Sequence, residues 1–80
     1  MKTTRATRKA AIAHAREIAK RTNEPAYVYI DRDESTAHGG TAWDACSDAF
    51  YHGQGQWGRW IREDDVKAIV YPCGETEFFD

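Results

Sequence analysis

Leucine is absent from the 80-residue sequence, and isoleucine, valine and phenylalanine together supply only 11 residues. A combined content of leucine, isoleucine, valine and phenylalanine below roughly 20% usually marks a disordered chain, and this sequence falls below that value. Two observations oppose disorder: the net charge is only −2, and the sequence contains three tryptophans, four tyrosines and three phenylalanines. Each aromatic side chain can bury roughly 150–250 Å². We therefore expect residues 1–80 to form a single small domain with an aromatic core, because neither half could build a core alone.

Long apolar runs are also missing from the sequence. No stretch approaches the ~20 apolar residues of a membrane span, and the opening Met-Lys-Thr-Thr-Arg lacks the apolar centre of a signal peptide. These features predict a soluble, cytoplasmic protein with no membrane partner. Cys46 and Cys73 could form one disulfide, but the cytosol keeps thiols reduced. We therefore expect both to be free.

Positive charge is scarce outside the first part of the chain. Residues 1–22 hold seven lysines and arginines against one glutamate, whereas residues 23–80 hold four against twelve acidic residues. A basic N-terminal element joined to an acidic body can meet partners of either sign. The charge distribution alone therefore selects neither a nucleic acid nor a protein as the partner.

The clearest predicted element is a helix over residues 4–22. Thr3 or Thr4 can serve as its N-cap, and Asn23 followed by Pro25 supplies a stop signal. Small and apolar residues recur on one face of this helix, which should pack closely on a sheet. That face holds Thr4, Ala11, Ile12, Ala15, Ile18, Ala19 and Thr22.

After Pro25 the sequence changes to a period of two, which is typical of strands. The pattern predicts strands at 26–31 and 66–71 and a short edge strand at 76–79. Residues 41–51 fit either a helix, or a strand over 41–46 followed by a helical turn at 47–51. We favour the strand, because one strand beside one helix needs a pairing partner. The predicted fold is α+β, with one N-terminal helix packed on an antiparallel sheet of three to four strands.

Metal-ligating and nucleophilic residue types occur at unsuitable spacing. Structural zinc sites usually take ligands in close pairs, which His38, Cys46, His52 and Cys73 do not form. Cys46 has no cationic neighbour in the sequence that would activate its thiol. Asp31 with Asp33, and Asp64 with Asp65, are more typical of turns than of a metal-dependent hydrolase. We therefore expect a binding protein without a cofactor or bound metal rather than an enzyme.

Two groups of residues have the composition of a protein-binding surface. Tryptophan with arginine is typical of interface hot spots, and we expect Trp57 to be exposed next to Arg59. Carboxylates near strand ends can replace phosphates in a groove that normally holds nucleic acid. The residues predicted to bind a partner are Asp31, Asp33, Glu34, Trp57, Arg59, Glu63, Asp64 and Asp65. The poor core also favours a homodimer, since self-association would bury additional surface.

The alternative is a small nucleic-acid-binding protein. On a helical projection Arg5, Lys9, Arg16 and Lys20 line up with Lys2 opposite the small-residue face. Such a basic face could neutralise phosphates, and its affinity would then fall steeply with salt. The acidic body opposes this interpretation, and the sequence contains no recognised DNA-reading motif.

Three segments resemble those of small phage proteins, among them anti-CRISPR inhibitors of type I systems. They are Ala-Arg-Glu-Ile-Ala-Lys-Arg-Thr at 15–22, Tyr-Val-Tyr-Ile-Asp at 27–31 and Ile-Arg-Glu-Asp-Asp-Val-Lys-Ala-Ile-Val-Tyr-Pro at 61–72. The similarity is one of size, helix-then-sheet order and acidic body. It implies a non-catalytic inhibitor, in the cytoplasm of the host bacterial cell, that binds the multi-subunit CRISPR surveillance complex. Such an inhibitor would keep target DNA or the recruited nuclease from docking.

Overall fold

The computed structural model describes residues 7–31, 41–53 and 61–79, which form an α+β fold. One long helix packs on a four-stranded antiparallel sheet, as the sequence predicts. The elements are α1 (Arg8–Thr22), β1 (Ala26–Ile30), β2 (Trp43–Ser47), α2 (Asp48–Gly53), a 3₁₀ turn (Glu63–Asp65), β3 (Val66–Val70) and β4 (Thr76–Phe78). The strand order is β2-β1-β3-β4. None of the helices built from these residues has the length and apolar character needed to cross a bilayer.

The start of α1 differs from the prediction. The N-cap is Thr7, whose backbone is extended and whose Oγ1 accepts a hydrogen bond from the Ala10 amide at 3.2 Å. The prediction of Thr3 or Thr4 as the cap is therefore wrong, because three threonines precede the first buried position and only Thr7 lies one turn before Ala11. The predicted stop is confirmed: Asn23 adopts a left-handed φ of 56° and its amide donates to the Ala19 carbonyl.

Replacing Thr7 tests this cap. Thr7→Ala should lower the free energy of unfolding by about 1 kcal/mol, because the Ala10 amide loses its acceptor. Thr7→Ser keeps a hydroxyl acceptor and should stay close to the wild type. Urea unfolding followed by circular dichroism measures both. Equal stability of Thr7→Ala and wild type would show that the cap lies elsewhere.

The four strands agree closely with the sequence pattern. Residues 41–51 contain a strand, β2, that leads directly into the helical turn α2, which confirms the favoured interpretation. β1 lies at the centre of the sheet, antiparallel to both β2 and β3. Its pairing with β3 shifts between Val28 and Tyr29, so a bulge interrupts the ladder.

The main core lies between α1 and one face of the sheet. Alanines dominate the helix side, and small or β-branched residues dominate the sheet side, which allows a close approach of the two layers. Most of the predicted helix face is buried, whereas Thr22 is exposed. The buried residues of this core are Ala11, Ala15, Ile18, Ala19, Ala26, Val28, Ala45, Ala68 and Val70, with Ile12 and Trp43 at its border.

Candidate functional site

The sheet face that points away from α1 carries a second cluster of apolar side chains. The register aligns Cys46, Tyr27, Ile69 and Glu77 in one row across all four strands. Alternation along each strand separates this row from the alanines and valines packed against α1. The row thus runs from a buried thiol at β2 to an exposed carboxylate at β4.

Two tyrosine rings are stacked on this open face. The centroids of Tyr27 in β1 and Tyr51 in α2 are 4.4 Å apart, and their planes differ by 14°. β2 ends where α2 begins, and Ser47 Oγ caps the turn by accepting from the Phe50 amide at 3.1 Å. This tight junction folds α2 back over β1. The position of Tyr51 over Tyr27 therefore depends on β2 being followed directly by α2 in residues 43–53.

A polar triad anchors the Tyr27 side of the stack. The Tyr27 hydroxyl donates to Asp48 Oδ1 at 2.8 Å, and His52 Nε2 lies 3.1 Å from the same oxygen. The distance from the Tyr27 hydroxyl to His52 Nε2 is 3.4 Å. Burial first, and then the hydrogen bond to the Asp48 carboxylate, raises the pKa of Tyr27 above its ordinary value. Tyr27 therefore remains a neutral hydroxyl that holds Asp48 in place.

A groove of about 700 Å³ opens beside the tyrosine stack. Its apolar lining comes from Tyr27, Tyr51, Val66, Ile69 and Phe79. Charged side chains complete the lining: Glu63 and Asp64 from the 3₁₀ turn, and Lys67 from β3. Glu77 flanks Ile69 in the adjacent strand. The described part of the groove thus combines three aromatic rings with a rim, Glu63, Asp64 and Lys67, on which two carboxylates outnumber one lysine.

The structure places the predicted partner-binding residues in three groups. Glu63 and Asp64 are exposed and lie at the groove. Asp31 and Asp65 are only 5% and 4% exposed, so neither offers its carboxylate at the surface as the prediction of an acidic edge required. Their positions explain the difference, since Asp31 follows β1 and hydrogen-bonds to Ala42 through its amide, while Asp65 closes the 3₁₀ turn against β3. Asp33, Glu34, Trp57 and Arg59 lie outside the described residues.

Four residues of this site are not predicted from the sequence: Tyr27, Tyr51, Asp48 and His52. A signal was present, because Asp48 and His52 are four residues apart, with Asp48 inside the helical turn predicted at 47–51 and His52 directly after it. Such spacing brings two side chains together on one helix face. The contact of both with Tyr27 depends on the sheet register, which spacing alone does not reveal.

The predicted basic face is partly present on α1. Lys9, Arg16 and Lys20 are exposed on the side of the helix that faces away from the sheet. Lys2 and Arg5 lie outside the described residues. Arg8 belongs to another side of the helix, where its guanidinium lies 5.2 Å from the Phe78 ring centroid. Of the predicted basic face, the described residues therefore include three aligned cations, Lys9, Arg16 and Lys20.

Both cysteines are free thiols in different surroundings. Cys46 is buried and Cys73 is exposed. Burial, followed by the nearby Asp44 and Asp48 carboxylates, raises the pKa of the Cys46 thiol to about 12. At neutral pH Cys46 is thus a protonated core residue rather than a nucleophile. Within residues 7–31, 41–53 and 61–79, no three histidine, cysteine or acidic side chains are grouped as metal ligands; His38 lies outside these ranges.

Comparison with known proteins returns no family model, no curated protein and no solved structure that matches this chain. Function is therefore inferred from the geometry of the groove and from the distribution of charge around it.

Proposed function

We propose that the protein is a non-catalytic binding protein whose groove on the open sheet face engages a positively charged surface of a protein partner. The observation that carries the proposal is the combination of two features in one groove. Tyr27, Tyr51, Ile69 and Phe79 form a largely aromatic floor, and Glu63 and Asp64 add exposed carboxylates. Buried aromatic contacts supply most of the affinity in protein interfaces, whereas surrounding charges steer association and select the partner.

We further propose that this partner is the multi-subunit surveillance complex of a type I CRISPR system. The resemblance to phage inhibitors suggests the complex, and the acidic rim of the groove fits a surface built to hold nucleic acid. Carboxylates on such a surface would take the place of backbone phosphates and exclude target DNA. Blocking recruitment of the nuclease is the other outcome of the same docking. A homodimer is compatible with either outcome and stays a prediction.

Charge reversal at the rim tests this function. Glu63→Lys combined with Asp64→Lys should weaken binding to a purified type I surveillance complex at least tenfold, because two attractive charge contacts become repulsive. Biolayer interferometry measures the affinity, and a gel-shift assay with target DNA measures the inhibition. Glu17→Lys combined with Glu24→Lys makes the same change in net charge at exposed positions in α1 and just after it, and should change affinity less than threefold. Full inhibition by the rim variant would contradict the proposal.

The exposed alignment of Lys9, Arg16 and Lys20 supports a second candidate, a nucleic-acid-binding protein. In that case the wild type should bind duplex DNA or RNA with an affinity that falls steeply with salt. Reversing the three cations to glutamate should then abolish binding, while the Glu63→Lys and Asp64→Lys variant should bind at least as well as the wild type. The same two variants thus separate the candidates.

A further inference from the structure

We infer that the groove beside the tyrosine stack is a receptor for an arginine side chain presented by the partner protein. The inference deepens the proposed function, since it rests on the groove being the surface that meets a protein. It adds the chemical identity of the group that the groove receives. Three features support it: the shape of the floor, the charge of the rim and the geometry of the guanidinium group.

The floor fits a long side chain with an apolar stem. Tyr27, Tyr51 and Ile69 are half-buried, so each keeps part of its surface in the groove. Phe79 is 36% exposed and closes the lining from the end of β4. Arginine and lysine both bury their methylene stems on such apolar surfaces while the charged end stays near water. Aromatic rings add a cation–π attraction when the cation lies over a ring face.

The rim selects a cation. Glu63 and Asp64 are consecutive, exposed residues of the 3₁₀ turn, and both line the groove. Glu77 lies beside Ile69 through the pairing of β3 with β4 and adds a third negative charge near the floor. Among the lining residues that the structure describes, Lys67 is the one positive side chain. The balance of these described charges is therefore negative, and it disfavours phosphate or carboxylate ligands.

The arrangement favours arginine over lysine. A guanidinium group is planar, donates from five N–H groups and can engage neighbouring carboxylates while it stacks on an aromatic ring. An ammonium group is compact and more strongly hydrated, so it loses more on leaving water and gains less from a flat ring. A groove lined by two carboxylates and by aromatic rings thus suits the planar, multiply donating guanidinium group better than an ammonium group.

The test is an NMR titration of the full chain with three blocked pentapeptides. They share the sequence Gly-Ser-Xaa-Ser-Gly, in which Xaa is arginine, lysine or citrulline. The arginine peptide should saturate with a Kd in the millimolar range, as a single side chain would. Its shifts should map to residues around the groove, including Tyr27, Tyr51, Asp64 and Ile69. The lysine peptide should bind at least threefold more weakly, and citrulline should cause no saturable shift.

Matched variants separate the groove from other acidic surfaces. Glu63→Gln combined with Asp64→Asn keeps the shape of both exposed side chains and should remove saturable binding of the arginine peptide. Glu17→Gln combined with Glu24→Gln removes the same charge at exposed sites outside the groove and should leave the Kd unchanged. The spectra without peptide confirm that each variant is folded.

Three results would overturn the inference: equal affinity for arginine and lysine, saturable binding of citrulline, or shifts that map away from the groove. Stronger binding of an oligonucleotide at the same residues would also overturn it. Because the titration contains no surveillance complex, its outcome is distinguishable from failure of the proposed function. If the protein binds the arginine peptide in the groove but does not bind the surveillance complex, this inference stands and the CRISPR proposal is refuted.

Discussion

The Ala15→Leu variant is expected to unfold about 10–20 °C below the wild-type protein. Ala15 is fully buried between α1 and the sheet, next to a core made mostly of alanine and valine. Added methylene groups at such a position push the layers apart and cost roughly 1–3 kcal/mol or more. A domain of this size has a total stability of roughly 4–12 kcal/mol, so the loss is a large fraction of it. Thermal unfolding followed by circular dichroism measures the change.

Ala13→Leu is the matched control for this substitution. It makes the same chemical change in the same helix, but Ala13 is exposed. Its effect should stay within about 0.5 kcal/mol. Equal destabilisation by both substitutions would mean that helix propensity, not layer spacing, decides stability. Unchanged stability of both would show that α1 does not lie as close to the sheet as the buried alanines require.

Alkaline pH is expected to destabilise the fold strongly. Burial raises the pKa of Cys46 to about 12, and burial together with the nearby Asp44 charge raises that of Tyr29 above its ordinary value. In the unfolded chain these groups ionise near pH 8.5–9 and 10. Above pH ~9 the unfolded chain therefore binds fewer protons than the folded one, and stability falls as pH rises. The contribution is complete below pH ~8.

Urea unfolding at pH 8, 9, 10 and 11 measures this effect. Each buried group removes up to about 1.4 kcal/mol per pH unit, so Cys46 over two units and Tyr29 over one together remove roughly 4 kcal/mol between pH 9 and 11. Cys46→Ala should remove the part of the decline that begins near pH 9, and Tyr29→Phe should reduce the part that begins near pH 10, to which the raised pKa of Tyr27 also contributes. Only the slope against pH is compared, because both variants also change packing. A free energy of unfolding that stays constant from pH 8 to 11 would contradict the prediction.

Local pattern accounts for most of the fold. The alternation after Pro25 predicts a strand, and β1 is found there. Asn23 tolerates a left-handed backbone, and it caps the end of α1. The N-cap could not be predicted, because Thr3, Thr4 and Thr7 are chemically equivalent caps. Their choice depends on where the helix meets the sheet, and that is a tertiary contact.

The site was less predictable than the fold. Glu63 and Asp64 were found from composition, but the aromatic floor beside them depends on pairing between residues far apart in the chain. Tyr27 meets Tyr51 only because β2 pairs with β1 in one register and then turns into α2. A one-residue slip of that register would send Tyr27 toward α1. The burial of Asp31 and Asp65 has the same origin, since runs of charge in sequence do not report which member points inward.

The central position of β1 has a consequence for synthesis of the chain on the ribosome. β1 is made early, yet both of its hydrogen-bonding neighbours follow it, and β3 ends only at Val70. Until that residue has emerged, one edge of β1 has no native strand to pair with, and the face beneath α1 lacks Ala68 and Val70. The nascent polypeptide therefore cannot complete its cooperative native structure until β3 has been synthesised and is free to pair with β1.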